Sequence, residues 1–351
     1  METKIQSINP KDFGEKELQE ACVILKEGGL VAFPTETVYG LGGDALRPEA
    51  SGKIYEAKGR PSDNPLIVHI AGMESLYHLA DEISPQAERL AAAFWPGPMT
   101  MIFRKKKIVP DSTTGGLGTV AVRMPGHPVA MALIRKSGVY IAAPSANISG
   151  RPSPTRAEHV AEDLGGRIDM ILDGGPVGIG LESTIVDMSG DVPVILRPGS
   201  VTQEMLQKVA GEVRVDPAVA SRIKKKDVVA KAPGMKYRHY APKGQMTIVE
   251  GDTERVIEAI NHMAGEKMAL GCRVAVIATE ETKGYYQCEL IRSIGSREND
   301  GSIAAGLYDI LREMDHLKAE FIFAESFETD RLGKAIMNRM LKAAAYHLIQ
   351  V

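Results

Sequence analysis

Residues 58–69, KGRPSDNPLIVH, join a rigid polar turn to an apolar strand. A glycine and Pro61 favour a turn that carries two cations, Lys58 and Arg60. The apolar run that follows predicts a buried strand ending at His69. Because lysine offers a point charge and arginine a planar fork to oxygen atoms, the turn suits an anionic ligand. The alternative is a solvated surface pair, which is the commoner situation for lysine and arginine.

The composition indicates a globular protein of about two domains. The chain has 351 residues, of which 44% are hydrophobic and 25% charged, which argues against a disordered or membrane protein. The formal net charge of −3 does not indicate a general nucleic-acid-binding surface, although a local basic patch is compatible with it. The charged N-terminus and the lack of a run of about 18 apolar residues predict neither a targeting signal nor a membrane span.

The three cysteines are widely spaced and form no CxxC pair. This pattern argues against both a disulfide framework and a structural zinc site. We therefore predict reduced thiols in a cytoplasmic protein.

Strands in the first part of the chain repeatedly end in small hydroxyls, amides or single cations. The residues concerned are Thr35, Ser145, Asn147, Ser183 and Arg197. Polar groups delivered by several strands to their ends are typical of one site built on a rigid sheet. For the threonine-rich turn at 35–39 an alternative stays open, in which the hydroxyls only satisfy their own backbone.

The glycine-rich segment 115–126, GGLGTVAVRMPG, precedes a strand and not a helix, so it fails the context of a dinucleotide-binding fingerprint. Its backbone amides at Gly118 and Thr119 can still approach a ligand closely. Arg123 lies in the apolar strand and needs a partner there. A ligand carboxylate and a structural Asp or Glu are equally good candidates. Farther along, Thr155 and Glu158 predict a capping box that starts a helix.

We predict a catalytic domain over residues 1–205, a linker over 206–244 and a smaller domain over 245–351. The linker is charged, weakly periodic and poor in large apolar residues until APGMKYRHYAPKG, whose aromatic rings must be buried against a domain or a ligand. Beyond it, strands and helices alternate, with helices predicted over about 253–269, over about 302–318 and from Arg331. This alternation predicts a small parallel sheet flanked by helices.

Five motifs in order, together with the linker signature, resemble the YrdC family in its long two-domain form. The matching segments are FPTETVYGLG, KGRPSDNPLIVHI, PSANISGRPSPT, STIVD, ILRPG and APGMKYRHYAP. The resemblance implies an α/β fold, with a twisted mixed sheet and flanking helices around a concave site, plus a Rossmann-like C-terminal domain. It also implies a nucleotidyltransferase that makes L-threonylcarbamoyladenylate and pyrophosphate from L-threonine, bicarbonate or CO2, and ATP. The product would serve the threonylcarbamoyladenosine modification of tRNA next to the anticodon.

The resemblance also implies the roles of individual residues, matched position by position. The catalytic set is Lys58, Arg60, Ser145 and Asn147. The threonine-binding set is Thr35, His69, Arg123 and Ser183, and we hypothesise that Arg123 meets the amino acid's carboxylate. The ATP-binding set is Lys58, Ser62, Thr119, Ser145, Ser153, Arg197 and Tyr240, and the gating loop carries Tyr237, His239 and Tyr240. For His69 the alternative is a satisfied histidine of the core.

We expect Mg²⁺ to accompany ATP, held mainly by phosphates and waters, because the sequence has no carboxylate cluster that resembles a cage. The expected partners are the downstream tRNA threonylcarbamoyltransferase machinery and, weakly, tRNA itself. The rival function is a non-catalytic RNA-binding or tRNA-binding module, against which the near-neutral charge and the lack of RNP-type aromatics argue. A closer rival is the carbamoyl-AMP chemistry of related hydrogenase-maturation proteins, whose acylphosphatase and zinc-finger segments the sequence does not contain.

Overall fold

The computed structural model describes residues 2–220, 232–233, 239–327 and 332–351. Tyr237 of the predicted gating loop lies outside these residues. The described chain contains two sheets, each with its own helices. No helix of this part of the chain is long and apolar enough to cross a membrane.

The first sheet is mixed, as predicted. Its twelve strands are β1 (Lys4–Ser7), β2 (Val31–Phe33), β3 (Gly40–Asp44), β4 (Ile67–His69), β5 (Ala80–Asp81), β6 (Met99–Lys105), β7 (Thr119–Arg123), β8 (Ile141–Ala142), β9 (Met170–Asp173), β10 (Thr184–Asp187), β11 (Val194–Arg197) and β12 (Arg214–Val215). Their order is β1-β9-β2-β3-β8-β4-β7-β6-β10-β11-β12, with β5 beside β6. In the centre, β4 is parallel to β7 and antiparallel to β8, which places His69 opposite both Arg123 and Ile141.

Helices of the first sheet begin and end at residues that the sequence marks. They are a 3₁₀ turn (Glu15–Leu18), α1 (Gln19–Lys26), α2 (Pro48–Lys58), α3 (Met73–Leu79), α4 (Pro85–Phe94), α5 (Asp111–Thr114), α6 (Pro128–Ser137), α7 (Ala157–Leu164), α8 (Gln203–Ala210) and α9 (Pro217–Ala220). The Ser84 hydroxyl caps α4 by accepting from the amide of Ala87 at 3.2 Å. Gly59, in the left-handed region at φ 58°, ends α2 and starts the turn that holds Arg60.

The second sheet is entirely parallel, which confirms that prediction. It comprises β13 (Gln245–Glu250), β14 (Val274–Ala278), β15 (Leu290–Ser293), β16 (Phe321–Glu325) and β17 (Leu348–Gln350), in the order β15-β14-β16-β13-β17. Its helices are α10 (Thr253–Ala269), α11 (Asp300–His316) and α12 (Gly333–Ala343), with a 3₁₀ turn at Lys283–Tyr285. The strands β1, β3, β5, β12 and β17 were not predicted.

The predicted capping box at the start of α7 is wrong. Arg156 occupies the N-cap position of α7, and its side chain makes no capping hydrogen bond to the helix backbone. The Thr155 hydroxyl instead donates to Asp309 on α11, and the Arg156 guanidinium pairs with the same carboxylate at 3.0 Å. A charged partner from the second domain thus replaces the weaker local bond to the helix backbone.

The start of the predicted linker is packed against the first sheet. Helix α8 lies against α4, and β12 extends the sheet beyond β11. Residues 203–215 therefore belong to the first structural unit, although most of them were assigned to the linker. The remaining domain boundaries stay predictions.

The two units share one apolar cluster. Val38 and Leu181 of the first unit are buried in the same cluster as Leu307 and Met340 of the second. Gly180, at φ 79°, approaches α11 so closely that an added Cβ would lie 2.5 Å from the carbonyl oxygen of Ala304. The two units therefore meet through a closely packed contact.

Candidate active site

A cavity lies where strand ends of the first sheet meet the segment around residue 240. It contains about 630 Å³ of space outside the atoms, part of it open to solvent. The predicted site residues that line it are Thr35, Arg60, His69, Arg123, Ser145, Asn147, Ser153, Ser183, Arg197, His239 and Tyr240. The structure thus brings most of the predicted residues together, and the role of each stays a prediction.

Lys58 does not line the cavity. Its side chain is buried, and its ammonium donates to the carbonyl oxygens of Ser145, at 2.5 Å, and of Asn147. Desolvation, followed by the nearby charge of Arg60, holds the pKa of Lys58 well below its usual range. In this structure Lys58 therefore fixes the 145–147 loop from behind, whereas we expected it to face a phosphate.

Two residues of the predicted nucleotide side are not brought into the cavity wall. Ser62 is exposed on the turn after Arg60, and Thr119 begins β7, at the opposite end of that strand from Arg123. A motif gives the position of a residue along the chain, but it does not give the direction in which the side chain points.

The loop that carries Ser145 and Asn147 is held rigidly by its own hydrogen bonds. The Ser145 hydroxyl donates to Asn147 Oδ1 at 2.6 Å, and Asn147 Nδ2 donates to the carbonyl oxygens of Ile148 and Arg151 at 2.8 and 3.0 Å. Arg60 donates to the carbonyl oxygens of residues 64 and 65. These polar groups are therefore positioned before any ligand arrives.

The threonine-rich turn satisfies itself, as the alternative interpretation proposed, and still lines the cavity. The Thr35 hydroxyl donates to the carbonyl oxygen of Val38 at 2.6 Å and accepts from the amides of Thr37 and Val38. A ligand contact by Thr35 would have to be added to these bonds or replace one of them.

Arg123 has a structural carboxylate as its partner. Its guanidinium lies 2.7 Å from Glu36 Oε1 and donates to the Thr37 hydroxyl at 3.0 Å. Burial, the largest single effect, raises the pKa of Glu36, but the charge and hydrogen bond of Arg123 together with backbone hydrogen bonds outweigh it, so that the pKa is lowered. The sequence interpretation left this partner open and did not single out Glu36.

His69 is a buried, neutral histidine on the cavity wall. Its Nδ1 lies 3.1 Å from the carbonyl oxygen of Ile67. Burial, followed by the charge of Arg123, lowers the pKa of His69 to about 3. This placement is compatible with a threonine-binding role and also with a satisfied histidine of the core, because the ring has a backbone partner and also lines the cavity.

Glu182 joins the two domains at the cavity wall. Its carboxylate accepts from the Ser153 hydroxyl at 2.6 Å, from Tyr308 on α11 at 2.8 and 2.9 Å, and from Arg339 on α12 at 3.0 Å. Burial would raise its pKa, but the charge of Arg339 dominates the opposing effects and lowers the pKa to about 2. Sequence reasoning missed Glu182, Tyr308 and Arg339.

Ser183 and Arg197 lie next to this joint. Arg197 donates to the carbonyl oxygen and to the hydroxyl of Ser183, at 3.0 and 3.1 Å. Arg339 donates in addition to the carbonyl oxygen of Glu182, which precedes Ser183, and to that of Pro198, which follows Arg197. The second domain therefore braces both segments that deliver polar groups to the cavity.

The two described members of the predicted gating loop lie against the second domain. Tyr240, with φ 64°, stacks on Tyr308 at 5.2 Å between ring centroids, and the His239 ring lies 5.6 Å from Tyr240. Burial, followed by the charge of Arg60, lowers the pKa of His239 to about 3. Their position over the cavity is compatible with a gate, which stays a prediction.

The lining of the cavity carries more cations than carboxylates, although Arg123 is paired with Glu36 and Arg151 with Glu162 and Asp163. Arg60, Arg123, Arg151 and Arg197 line it, and Glu182 is the one carboxylate among the described lining residues. Because Arg339 already neutralises Glu182, the site suits an anionic ligand. The described residues contain no group of three or more acidic, histidine or cysteine side chains that could hold a metal ion.

Comparison with known proteins gives matches over nearly the whole chain. Residues 23–199 match the Sua5_yciO_yrdC family model, described as telomere recombination, and residues 201–345 match the model of the threonylcarbamoyl-AMP synthase C-terminal domain. A Bacillus subtilis protein named threonylcarbamoyl-AMP synthase is 50% identical over 96% of this chain and 95% of its own length.

Two further relatives differ in how much of this chain they match. A crystal structure of Pyrococcus abyssi Sua5 complexed with L-threonine has a TM-score of 0.94 and 48% identity, and the match covers 99% of this chain and 100% of that one. A Xanthomonas campestris protein, also named threonylcarbamoyl-AMP synthase, is 36% identical over 49% of this chain and 92% of its own length. About half of this chain thus accounts for nearly all of that relative.

Proposed function

The chain belongs to the threonylcarbamoyl-AMP synthase family, whose members are nucleotidyltransferases, and from this premise we propose that it joins L-threonine, bicarbonate or CO2, and ATP. The products are threonylcarbamoyl-AMP and pyrophosphate. The observation that carries the proposal is the cavity lined by Arg60, Arg123 and Arg197, in which Glu182, the one carboxylate among the described lining residues, is paired with Arg339 from the second domain and Arg123 is paired with Glu36. That charge distribution is what a reaction between two anions requires.

The proposed chemistry has two steps. The threonine nitrogen bonds to the carbon of CO2 and loses a proton, which gives a carbamate. A carbamate oxygen then bonds to the α-phosphorus of ATP, and the bond from that phosphorus to the bridging oxygen breaks. The electron pair of the broken bond leaves with pyrophosphate. The protein's task is to hold two mutually repelling reactants in line.

The described residues suggest a division of this task. Arg60 and the fixed 145–147 loop, with Lys58 behind it, would contact the phosphate that is attacked. Arg123 would receive the threonine carboxylate either together with the Glu36 carboxylate, with which it pairs at 2.7 Å, or in exchange for it. Arg197 would contact the nucleotide phosphates, next to Ser183 on the threonine side.

Mg²⁺ fits this scheme as part of the substrate and not as a resident of the protein. Glu182 is occupied by its hydrogen bonds from Ser153, Tyr308 and Arg339, and Glu36 is occupied by Arg123, so neither offers a free carboxylate. We propose that the metal enters with ATP, held by phosphate oxygens and waters, and offsets phosphate charge there.

We further propose that the product serves threonylcarbamoyl modification of tRNA next to the anticodon, through a downstream transferase. The cytoplasmic location predicted from the cysteine pattern is part of this proposal. A gate at residues 237–240 has a chemical reason, since a carbamate loses CO2 when water protonates it and a mixed anhydride is hydrolysed by water.

The test is pyrophosphate release with each substrate omitted in turn. We expect release only when L-threonine, bicarbonate and ATP are all present, with Lys334→Gln as an inert control on the exposed surface of α12. Release without threonine or bicarbonate would identify a simple ATP hydrolase and overturn the proposal. Binding of tRNA that weakens steeply with salt, without pyrophosphate release, would favour the RNA-binding alternative.

A further inference from the structure

The loop of residues 147–153 forms one wall of the cavity. Asn147, Arg151 and Ser153 of this loop line the cavity, and Asn147 belongs to the predicted catalytic set and Ser153 to the predicted ATP-binding set. Residues 147–153 lie in no helix or strand, so their position depends on the contacts that neighbouring elements make with them.

Arg312 of α11 reaches this loop from the second domain. Its side chain is buried, and its Nη2 donates to the carbonyl oxygen of Pro152 at 2.6 Å. The same guanidinium pairs with the buried carboxylate of Asp163 on α7, Nη2 with Oδ2 at 2.8 Å and Nη1 with Oδ1 at 3.2 Å. Two parallel hydrogen bonds between a guanidinium and a carboxylate fix the orientation of both groups.

Asp163 carries this contact on to the loop. Its Oδ2 accepts from the amide of Ile148 at 3.2 Å, and its Oδ1 accepts from the guanidinium of Arg151 at 2.5 Å. Arg312 therefore holds the loop at Pro152 directly, and at Ile148 and Arg151 through Asp163.

The loop is also attached to the catalytic lysine and to the predicted gate. The amide of Ser149 donates to the carbonyl oxygen of Lys58 at 2.8 Å, and the amide of Ala241, next to Tyr240, donates to the carbonyl oxygen of Gly150 at 2.9 Å. A shift of the loop would thus displace its lining side chains and strain its attachment to the gate at the same time.

The predicted threonine-binding residues are held by other elements. His69 ends β4 and Arg123 ends β7, and Arg123 is fixed in addition by its pair with Glu36. A change at Arg312 should therefore act on the nucleotide side of the cavity and leave the threonine side in place.

We propose that Arg312 is a positioning residue for ATP, which fixes the 147–153 loop in the conformation in which Asn147 and Ser153 meet the nucleotide. The second domain thereby takes part in nucleotide binding without contacting the nucleotide through this residue. This inference rests on the proposed function and deepens it by assigning to α11 a part in the binding of one substrate.

The first measurement compares the binding of Mg·ATP and of L-threonine to the full chain by calorimetry. We expect Arg312→Met to weaken Mg·ATP roughly 10-fold and to change threonine less than about 2-fold. Arg312→Lys, which keeps the charge but not the fork, should give an intermediate loss.

The matched control is Arg156→Gln. It breaks the 3.0 Å pair with Asp309, which also joins α11 to the first domain but does not hold the 147–153 loop. This variant should bind Mg·ATP and threonine like the wild type. A loss of ATP affinity in the control equal to that in Arg312→Met would show that any ion pair between the domains has this effect and would overturn the specific role of Arg312.

The second measurement separates positioning from stability. Arg312→Met leaves the Asp163 carboxylate buried without this cation, so the melting temperature should fall. Adding Asp163→Asn removes that carboxylate charge and should restore most of the melting temperature, while ATP affinity stays at least about 5-fold below the wild type because the bond to Pro152 is still missing. Recovery of ATP affinity together with the melting temperature would show that Arg312 acts only by neutralising Asp163.

The outcomes separate this inference from the proposed function. A wild type that binds ATP and releases pyrophosphate only with threonine and bicarbonate, combined with Arg312→Met and Arg312→Lys variants that bind ATP equally well, would overturn the positioning role alone. Equal losses of ATP and threonine affinity would also overturn it, because they would indicate general damage to the cavity. A wild type that does not bind ATP would overturn both.

Discussion

Two carboxylate–arginine pairs at the cavity differ in how firmly they are held. Glu36 and Arg123 both belong to the first domain, and Glu36 pairs with this one described cation while 18% of its side chain stays exposed. Glu182 and Arg339 come from different domains, and Glu182 also accepts from the hydroxyls of Ser153 and Tyr308, the latter lying within 2.9 Å of both carboxylate oxygens. We therefore expect the first pair to be able to exchange its carboxylate for a ligand, whereas the second is a fixed joint.

The largest effect is expected from breaking the fixed joint. Arg339→Met leaves the Glu182 carboxylate buried without its cation, which should lower the free energy of unfolding by about 3–5 kcal/mol. Urea denaturation measures it, with Lys334→Met as a control that should change stability by less than about 0.5 kcal/mol. A loss as small as that of the control would show that Glu182 does not hold the domains together.

Acid should weaken the same joint. The pKa of Glu182 is lowered to about 2 from its ordinary 4.5, so its contribution is present above pH 4.5 and is lost as the pH falls toward 2. The lost stability is roughly 3 kcal/mol, since each unit of pKa corresponds to about 1.4 kcal/mol. We expect the free energy of unfolding to fall less between pH 5 and 3 in Glu182→Gln than in the wild type. Equal slopes would contradict the assignment.

A substitution in the predicted gate should have a smaller effect, because the gate contacts the Glu182–Arg339 joint only through the stacking of Tyr240 on Tyr308. An aromatic pair contributes about 0.5–1.5 kcal/mol beyond its buried area, so Tyr240→Ala should reduce product yield roughly 10-fold. Threonine affinity should change less than about 2-fold, and Tyr240→Phe, which keeps the ring, should retain most of the yield. Unchanged pyrophosphate release in the alanine variant would refute the gate.

The smallest effect is expected at the Glu36–Arg123 pair, where we expect a gain in ligand affinity and not a loss of stability or yield. Glu36→Gln frees Arg123 from its internal carboxylate, so the affinity for L-threonine should rise roughly 3-fold to 5-fold, corresponding to less than about 1 kcal/mol. Titration calorimetry with threonine measures it, and Glu182→Gln serves as the control with no gain. Weaker threonine binding in Glu36→Gln would mean that Glu36 receives the substrate's ammonium instead.

The residues that local sequence reasoning placed well are those fixed by strand ends and turns. Arg60, Ser145 and Asn147 line the cavity because a rigid turn and a strand end deliver them there. Their motif also located Lys58, but it did not reveal that the ammonium faces two loop carbonyls. Side-chain direction depends on the packed neighbours, which a motif does not contain.

The joint between the domains could not be predicted from sequence in the same way. Glu182 and Arg339 are 157 residues apart, and no local pattern relates them. One signal was available, since Arg339 interrupts the apolar face of α12 and a buried arginine requires an anion. That signal predicts that a partner exists, but it does not identify which carboxylate it is.

The shared apolar cluster limits how this protein can be shortened. Deleting the second half would expose Val38, Leu181 and the surface around Gly180 to water and leave an apolar, aggregation-prone patch beside the cavity. A free-standing version of the first half would need polar replacements at those positions, and also a new partner for Glu182. Relatives of half this length therefore cannot be regarded as simple truncations of the longer chain.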